Sequence, residues 1–443
     1  MISALYGELR GYHRLAIHRW VAANERLSRD ALRRLTEREF QEHVHRSLER
    51  FPFYAQCVKA HRGSLPAPGK IVRPEELPVW TRHDQREFFA QQERPQDSLY
   101  AHQTSGSTSL PVRFHVTRES YEWRTAVMDR SYSWGGAEEG RKSLHVWAAD
   151  HDRAPLSEAV KRYVHLVLQR RAYFDAFKEF SDAERLTCIE LINHLKPHAL
   201  VGYTSMLVDL ARYVRDHPGV LLWKPRAMVS AAEGLQPGHR ELLQEHLVGE
   251  VYMSYGSREF MSVGMECYRH EGYHVASDNL LVEVVDDNGQ PVAEGEEGRI
   301  VITDMHNAAN PFVRYEIGDI GTAGPADAPC PCGRPFPRLA SVDGRLQDVI
   351  RTSTGVVSGL YLTYTMRQFD DWIEGYQVVQ DSPDRMLVRL VTRTDFTPER
   401  LAPVTALLRE KFIDMRIDYE RVHELARRRS GKVALVISSL PDE

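Results

Sequence analysis

The sequence predicts an α/β protein with a large, multi-lobed body and a small α+β C-terminal domain. Three observations predict it. The middle of the chain alternates helix-like segments with short apolar runs. The last hundred residues carry a strand–strand–helix–strand pattern that is complete by itself. The 443 residues also exceed what one ordinary core organises, which favours two or three domains.

Residues 12 to 56 are rich in Glu, Arg and Leu, as in LSRDALRRLTEREFQEHVHRSLERF, and their intermittently apolar face predicts helices packed on a larger body. Pro66, Pro68, Pro74 and Pro78 interrupt that reading. The stretch from Ser64 to Val79 is therefore expected to cross the surface, with Thr81 capping a new helix near Thr81-Arg82-His83-Asp84. Helices are expected at Glu184 to His194 and at Ser205 to Val214, alternating with short apolar runs at Ala199 to Gly202 and Arg226 to Ser230. Strands are expected at Asn279 to Asp286 and Gly298 to Thr303, joined through the turn Asp286 to Gly289, whose Asn-Gly step suits a positive φ. The C-terminal pattern comprises strands at Gly375 to Val379 and Arg385 to Val391, a helix at Pro398 to Phe412 and a strand at Val433 to Ile437. A boundary near Gly344 to Arg351 divides a body of residues 1–346, which includes an inserted or appended metal-binding region, from a lid of residues 347–443.

Composition narrows the function. A net charge of −5 offers no polycationic face for nucleic acid. No apolar run approaches the roughly 18 residues that cross a bilayer, and the start lacks a signal-peptide core, so a cytoplasmic location is expected without a membrane partner. Five cysteines are too few for a disulfide scaffold.

Cys267, His274, Cys330 and Cys332 offer three thiolates and one imidazole, a set suited to tetrahedral Zn²⁺ with no position left for substrate. Their spacing is not that of a standard finger, and free buried thiols or redox chemistry remain alternatives. Cys57 and Cys188 stand apart from the cluster.

The stretch Thr104-Ser105-Gly106-Ser107-Thr108-Ser109 gathers hydroxyl donors around a small residue that leaves backbone N–H groups open, as a polyphosphate site requires. It is not the GxxxxGK[ST] loop, and composition alone also allows a plain Ser/Thr turn. Through Pro111 it resembles the TSGTTGxP motif of adenylate-forming enzymes, with Ser107 for a threonine and Ser109 for the last glycine. The resemblance continues through Ala232-Glu233-Gly234, Tyr255-Gly256-Ser257-Arg258-Glu259, Arg314-Tyr315-Glu316-Ile317-Gly318-Asp319, Gly344-Arg345-Leu346-Gln347-Asp348 and Ser430-Gly431-Lys432. Within that superfamily the chain is most similar to the phenylacetate-CoA ligase-like branch, including capsule-biosynthesis-type relatives. The features are Leu195 to Ser205 around Gly202-Tyr203, the Glu266-Cys267 pair and the compact C-terminal domain.

The resemblance implies an adenylate-forming body with a mobile C-terminal domain. It also implies roles: Thr104 to Ser109 hold the ATP phosphates, Glu259 the Mg²⁺ side and Asp319 the ribose hydroxyls. Arg345 lies beside the nucleotide, Tyr255 and Gly256 beside adenine and the acyl pocket, and Glu233 at the adenine edge. Lys432 reaches the phosphate and carboxylate when the small domain closes. By their own neighbourhoods Glu259 could equally be a solvated glutamate, Asp319 a turn residue, Tyr255 a core or surface aromatic, and Arg345 or Lys432 an ordinary surface cation. Gln347 departs from the family's hinge residue. Some relatives resemble this chain in carrying a structural zinc site, expected to pin the loop before Arg345 to the region after Glu259.

The implied reaction is ATP-dependent activation of a carboxylic acid, aromatic in the nearest branch, as acyl-AMP, followed by thioester formation with coenzyme A. Transfer to an amine, a carrier-protein thiol or a small inorganic nucleophile is a second reading, and a degenerate nucleotide-binding relative a third. A homodimer is compatible with all of these.

Overall fold

The computed structural model of the chain describes residues 14–67, 69–91, 98–103, 112–147, 170–175, 180–231, 233–235, 238–325, 328–345, 349–352, 355–358, 362, 365–366, 368–369, 371–393, 396–409, 411–426 and 433–440. Helices α1 (Arg14–Asn24), α2 (Arg29–Arg50) and α3 (Pro52–Arg62) open the body, followed by α4 (Arg82–Gln91). Ser28 caps α2 through its side chain, with Asp30 in the first turn where the helix dipole favours an anion. Thr81 caps α4 as expected: its hydroxyl accepts from the Asp84 amide, and Asp84 returns a bond to the Thr81 amide.

The Pro-rich stretch before α4 crosses the surface as expected and is anchored at single side chains. Ile71 is exposed, but Val72, Leu77 and Trp80 are buried. The reason lies on α2, where the Gln41 amide bonds both the carbonyl and the N–H of Val72 and replaces the water a surface strand would use.

Next come the antiparallel pair β1 (Ser98–Gln103) and β2 (Arg113–Thr117), then α5 (Arg118–Trp134), β3 (Ser143–Trp147) and β4 (Arg171–Asp175). The alternation continues through α6 (Asp182–Leu195), β5 (Ala199–Tyr203), α7 (Thr204–Asp216), β6 (Ala227–Ala231), α8 (His239–His246) and β7 (Glu250–Ser257). A reciprocal Ser181–Glu184 capping box starts α6. The strands β8 (Met261–Met265), β9 (Tyr273–Val275), β10 (Leu280–Val285), β11 (Glu297–Asp304), β12 (Tyr315–Ala323) and β13 (Arg338–Arg345) complete the body.

Eleven of these strands form one sheet in the order β10-β11-β12-β13-β9-β8-β7-β6-β5-β3-β4. From β4 to β7 it is parallel, and from β7 onward antiparallel. β5 and β6 read as continuous apolar runs because parallel strands are covered on both faces, and every residue of β6 is buried. Ile189, Ile192, Leu207 and Leu210 from the helices pack there on Val146, Leu200 and Met228. The antiparallel half has its own core, with Phe40, Val44, Tyr54 and Trp80 packed against Phe260, Phe312 and Tyr315. The turn between β10 and β11 places Gly289 at φ 75°, as the Asn-Gly step requires.

The C-terminal region contains the hairpin β14 (Val349–Thr352) and β15 (Gly355–Ser358), then β16 (Ile373–Ser382), β17 (Arg385–Thr392), α9 (Leu401–Arg409), β18 (Arg416–Arg421) and β19 (Val436–Ser438). Its four-stranded sheet runs β18-β17-β16-β19, with β16 and β17 antiparallel and the outer strands parallel to their neighbours. Its core runs from Ile350 to Val436 and includes Trp372, Tyr376, Leu408 and Phe412. The last strand is shorter than expected and begins at Val436. Among the described residues, no helix is long and apolar enough to cross a membrane.

Candidate active site and metal-ligand cluster

The parallel half of the sheet sets the site. β3 is paired on one side with β4 and on the other with β5, so chain direction switches sides at β3, and ligands bind outside the carboxyl ends of strands at such a point. Trp147 ends β3 and Tyr203 ends β5, and their rings meet edge to face with centroids 4.9 Å apart. Ala231 ends β6 beside Ser254 of β7, so Glu233 and Tyr255 follow neighbouring strand positions.

Tyr255 donates its hydroxyl proton to Asp319 Oδ2 at 2.8 Å. Asp319 lies on β12 opposite Arg345 of β13, so the antiparallel register brings together two residues 26 positions apart in sequence. Two motif glycines have direct structural reasons. A Cβ at Gly256 would overlap the Met261 carbonyl across the β7–β8 pair, and Gly318 has φ 86° immediately before Asp319. Arg314 of the same motif is buried and structural. Its guanidinium donates to the carbonyls of Leu77 and Gly289 and pairs with Glu283.

Glu259 sits between β7 and β8 and is only 4% exposed, which removes the solvated-glutamate alternative. Burial pushes its carboxyl above the usual range, opposed by a backbone donor, Arg82 and Ser257, while Asp319 adds to the rise. A buried carboxylate in deficit of positive charge is a fitting oxygen ligand for a divalent cation that keeps its other ligands from phosphates and water. Arg82, read in the sequence only as part of a helix start, donates to the Ile317 carbonyl at 2.7 Å. Nothing local in the sequence tied it to Glu259.

The stretch Thr104 to Ser109 lies outside the described residues, as do Lys432 and the hinge residue Gln347; Arg345 is described by its backbone alone. The flanks of the loop are described. Gln103 pairs with Arg113, and the His102 ring stacks on Phe114 at 5.6 Å. The charge of Arg258 acts on His102 and also on Tyr203, which in turn feels Glu233. Arg258 therefore lies close enough to both the stem of the loop and the end of β5 for its charge to act on each.

Glu233 has both carboxylate oxygens engaged. Oε2 accepts from the Ser205 amide and Oε1 from the Val433 amide, each at 2.8 Å.

The four metal-ligating side chains do converge, with ligand atoms within 4.8 Å of one another. Cys267 follows β8, His274 lies on β9, and Cys330 and Cys332 precede β13. Tetrahedral zinc with Zn–S bonds near 2.3 Å sets sulfur–sulfur edges of about 3.8 Å. Cys267 Sγ and Cys330 Sγ are 3.7 Å apart, a metal-cage separation and not a disulfide bond. Cys332 Sγ lies 3.3 Å from His274 Nε2, while His274 Nδ1 faces the Phe336 carbonyl at 3.3 Å, which assigns the proton to Nδ1 and leaves Nε2 as the ligating nitrogen. Burial lowers His274 to about 4 and pushes the Cys267 thiol up to about 12, so the imidazole is neutral and a cation in the cage would relieve the thiolate.

Comparison with known proteins agrees with this geometry. The model of the AMP-binding enzyme family matches residues 34–309, and the CapK C-terminal domain model matches residues 349–439. The chain is 27% identical over 350 residues to the phenylacetate-coenzyme A ligase of Thermus thermophilus, covering 74% of this chain and 73% of that protein. It is 23% identical to protein CapK of Staphylococcus aureus, covering 81% and 77%. Among solved structures, 2-hydroxyisobutyryl-CoA ligase in the postadenylation state superposes with a TM-score of 0.70 at 19% identity, covering 91% of this chain and 89% of that one. With more than half its length matched by one family model, the chain belongs to the AMP-binding enzyme family, on the branch that holds phenylacetate-coenzyme A ligases and CapK.

Proposed function

We propose that the protein joins a carboxylic acid to coenzyme A in two steps at the expense of ATP. In the first, a carboxylate oxygen attacks the α-phosphorus of ATP, the bond from that phosphorus to the bridging oxygen breaks, and pyrophosphate leaves. In the second, the thiol of coenzyme A attacks the acyl carbon, AMP departs and the thiol proton passes to solvent. The observation that carries the reading is the convergence of Tyr255, Asp319 and the Arg345 backbone beside buried Glu259, in a chain of the AMP-binding family.

In this reading Asp319 accepts from the ribose hydroxyls, oriented by Tyr255, and Arg345 stands across the strand pair beside the phosphates. Thr104 to Ser109 supply hydroxyl and amide donors to the phosphates, and Lys432 neutralises charge at the α-phosphate. Glu259 would hold Mg²⁺, which when bound neutralises phosphate charge. Cys267, His274, Cys330 and Cys332 would hold structural Zn²⁺ with no open position. The body of residues 1–346 and the lid of residues 347–443 move relative to each other between the two steps, so one site serves both. The Trp147–Tyr203 pair supports an arylacetic or other aromatic acid, the class named for the Thermus relative. Cells hold ATP and coenzyme A in the cytoplasm, where we place the reaction.

The test is acid-dependent pyrophosphate release across a panel of aromatic and aliphatic acids, followed by mass analysis after addition of coenzyme A, amines or carrier protein. Aryl-coenzyme A as the product is expected. Pyrophosphate release with no thioester, or with an amide product, would replace the second step. No acid-dependent release from any acid would sink the first.

A further inference from the structure

The family match assigns no role to the contact between Glu233 and the C-terminal domain. We propose that Glu233 is a positioning residue for acyl-adenylate formation, docking Val433 onto the carboxyl ends of β5 and β6. The inference rests on the reaction proposed above and adds to it the joint that sets the domains for its first step.

The carboxylate is held from both domains. Oε2 takes the Ser205 N–H at 2.8 Å, in the first turn of α7, where unpaired amides and the helix dipole favour an anion. The Glu233 carbonyl accepts from the Thr204 hydroxyl at 2.7 Å, and that hydroxyl also bonds Ser230 at the end of β6. Two successive residues in the first turn of α7 thus hold Glu233 in place on the body. Its other oxygen, Oε1, is committed to the Val433 N–H at 2.8 Å. The nitrogen of that amide is bonded to the carbonyl carbon of Lys432, so fixing Val433 fixes the point from which the Lys432 backbone departs.

Among the described residues, further polar contacts join the domains. Arg215 reaches Glu374 Oε1 at 3.0 Å, Arg212 Nε lies 3.6 Å from Oε2, and the Glu374 carbonyl accepts from Arg212 at 3.1 Å and from His239 at 2.7 Å. Arg185 adds a bond to Glu424 at 3.3 Å. The apolar core of the C-terminal domain draws on residues 350 to 436 and shares no member with the cores of the body. An interface made of ion pairs and hydrogen bonds separates without exposing a core, as a reaction with two domain arrangements needs. Its geometry then depends on individual bonds, and among the described residues the Glu233 bond is the one adjacent to Lys432.

Glu233→Gln tests this directly, because a side-chain amide has one acceptor oxygen for two N–H donors. Acid-dependent ATP–pyrophosphate exchange is expected to fall roughly tenfold in kcat with KM for ATP little changed, while thioester formation from preformed acyl-AMP stays within about twofold. In a Lys432→Ala background the same substitution should cost nothing further. Hydrogen exchange at the Val433 amide should accelerate in Glu233→Gln, and also in Glu374→Gln, which loosens the interface elsewhere. A raised KM for ATP with unchanged kcat would make Glu233 a nucleotide contact, and equal loss in both steps would make it a folding residue; either overturns the proposal. An unchanged Val433 exchange rate overturns the docking whether or not any acid is turned over. Failure of the reaction itself shows separately, as absence of exchange activity in the unaltered protein.

Discussion

At the residue scale, hydrogen-bond partners distinguish positions of one motif. Arg314 and Asp319 stand five residues apart in one motif; the first is buried in bonds to the carbonyls of Leu77 and Gly289, the second takes the Tyr255 hydroxyl. Tyr255→Phe should therefore loosen Asp319 and raise KM for ATP several-fold with kcat nearly kept, whereas Asp319→Ala should raise it roughly 10- to 100-fold, the cost of one or two charge-assisted bonds. Steady-state kinetics with ATP varied separate the two, and equal effects would count against Tyr255 acting through Asp319. Burial also predicts a pH response. His43, inside α2, is lowered to about 3 by burial, with Arg46 and His306 adding to the shift. Between that value and the ordinary 6.5 the unfolded chain binds a proton that the native chain does not. The stability His43 contributes is therefore present above about pH 6.5 and lost as pH falls toward 3. From pH 6.5 to 5 the loss is about 2 kcal/mol, at 1.36 kcal/mol per unit. His43→Gln should show a smaller drop in Tm between neutral and mildly acidic buffer than the unaltered protein, and an equal drop would refute the assignment.

At the scale of elements, the metal-ligand cluster joins Cys267 and His274, seven positions apart, to Cys330 and Cys332, which begin 56 positions after His274. β9 pairs with β13 at His274 and Arg338, so the loop carrying Cys330 and Cys332 is folded back over the β8–β9 turn. Bound zinc would tie that loop down just before the strand that ends at Arg345. Cys330→Ser should abolish stoichiometric zinc by elemental analysis and lower Tm by several degrees, because the metal's binding energy is part of the folding energy. Full-length protein that holds no zinc after purification in its presence would remove the cage. Element identity was legible where the helical pattern was regular: helices expected at Glu184 to His194 and Ser205 to Val214 are found at Asp182–Leu195 and Thr204–Asp216. The Pro-rich stretch crosses the surface as its prolines imply, but its anchor at Val72 was not legible, because the Gln41 side chain that satisfies Val72 comes from 31 positions away.

At the scale of the molecule, the proposed chemistry needs a cation delivered by the second domain. Lys432→Ala should reduce acid-dependent pyrophosphate release by roughly 100-fold or more, the scale of losing one charge partner of a developing phosphoryl charge. Thioester formation from preformed acyl-AMP should survive, and unchanged pyrophosphate release at saturating substrates would sink the role given to Lys432. The sequence by itself determined the α/β class and the family, because these are written in local periodicity and in short motifs whose order survives along one chain. It also carried the zinc-type ligand set, since three cysteines and a histidine are a chemical inventory that needs no coordinates to read. Only the tertiary structure decided that Tyr255 bonds Asp319, that Arg345 lies opposite Asp319, that the Arg82 charge acts on Glu259, and that Glu233 spends its carboxylate on Ser205 and Val433. Those are pairings between residues far apart in sequence, fixed by sheet register and domain contact, and no local pattern in a chain encodes which of its distant strands will lie side by side.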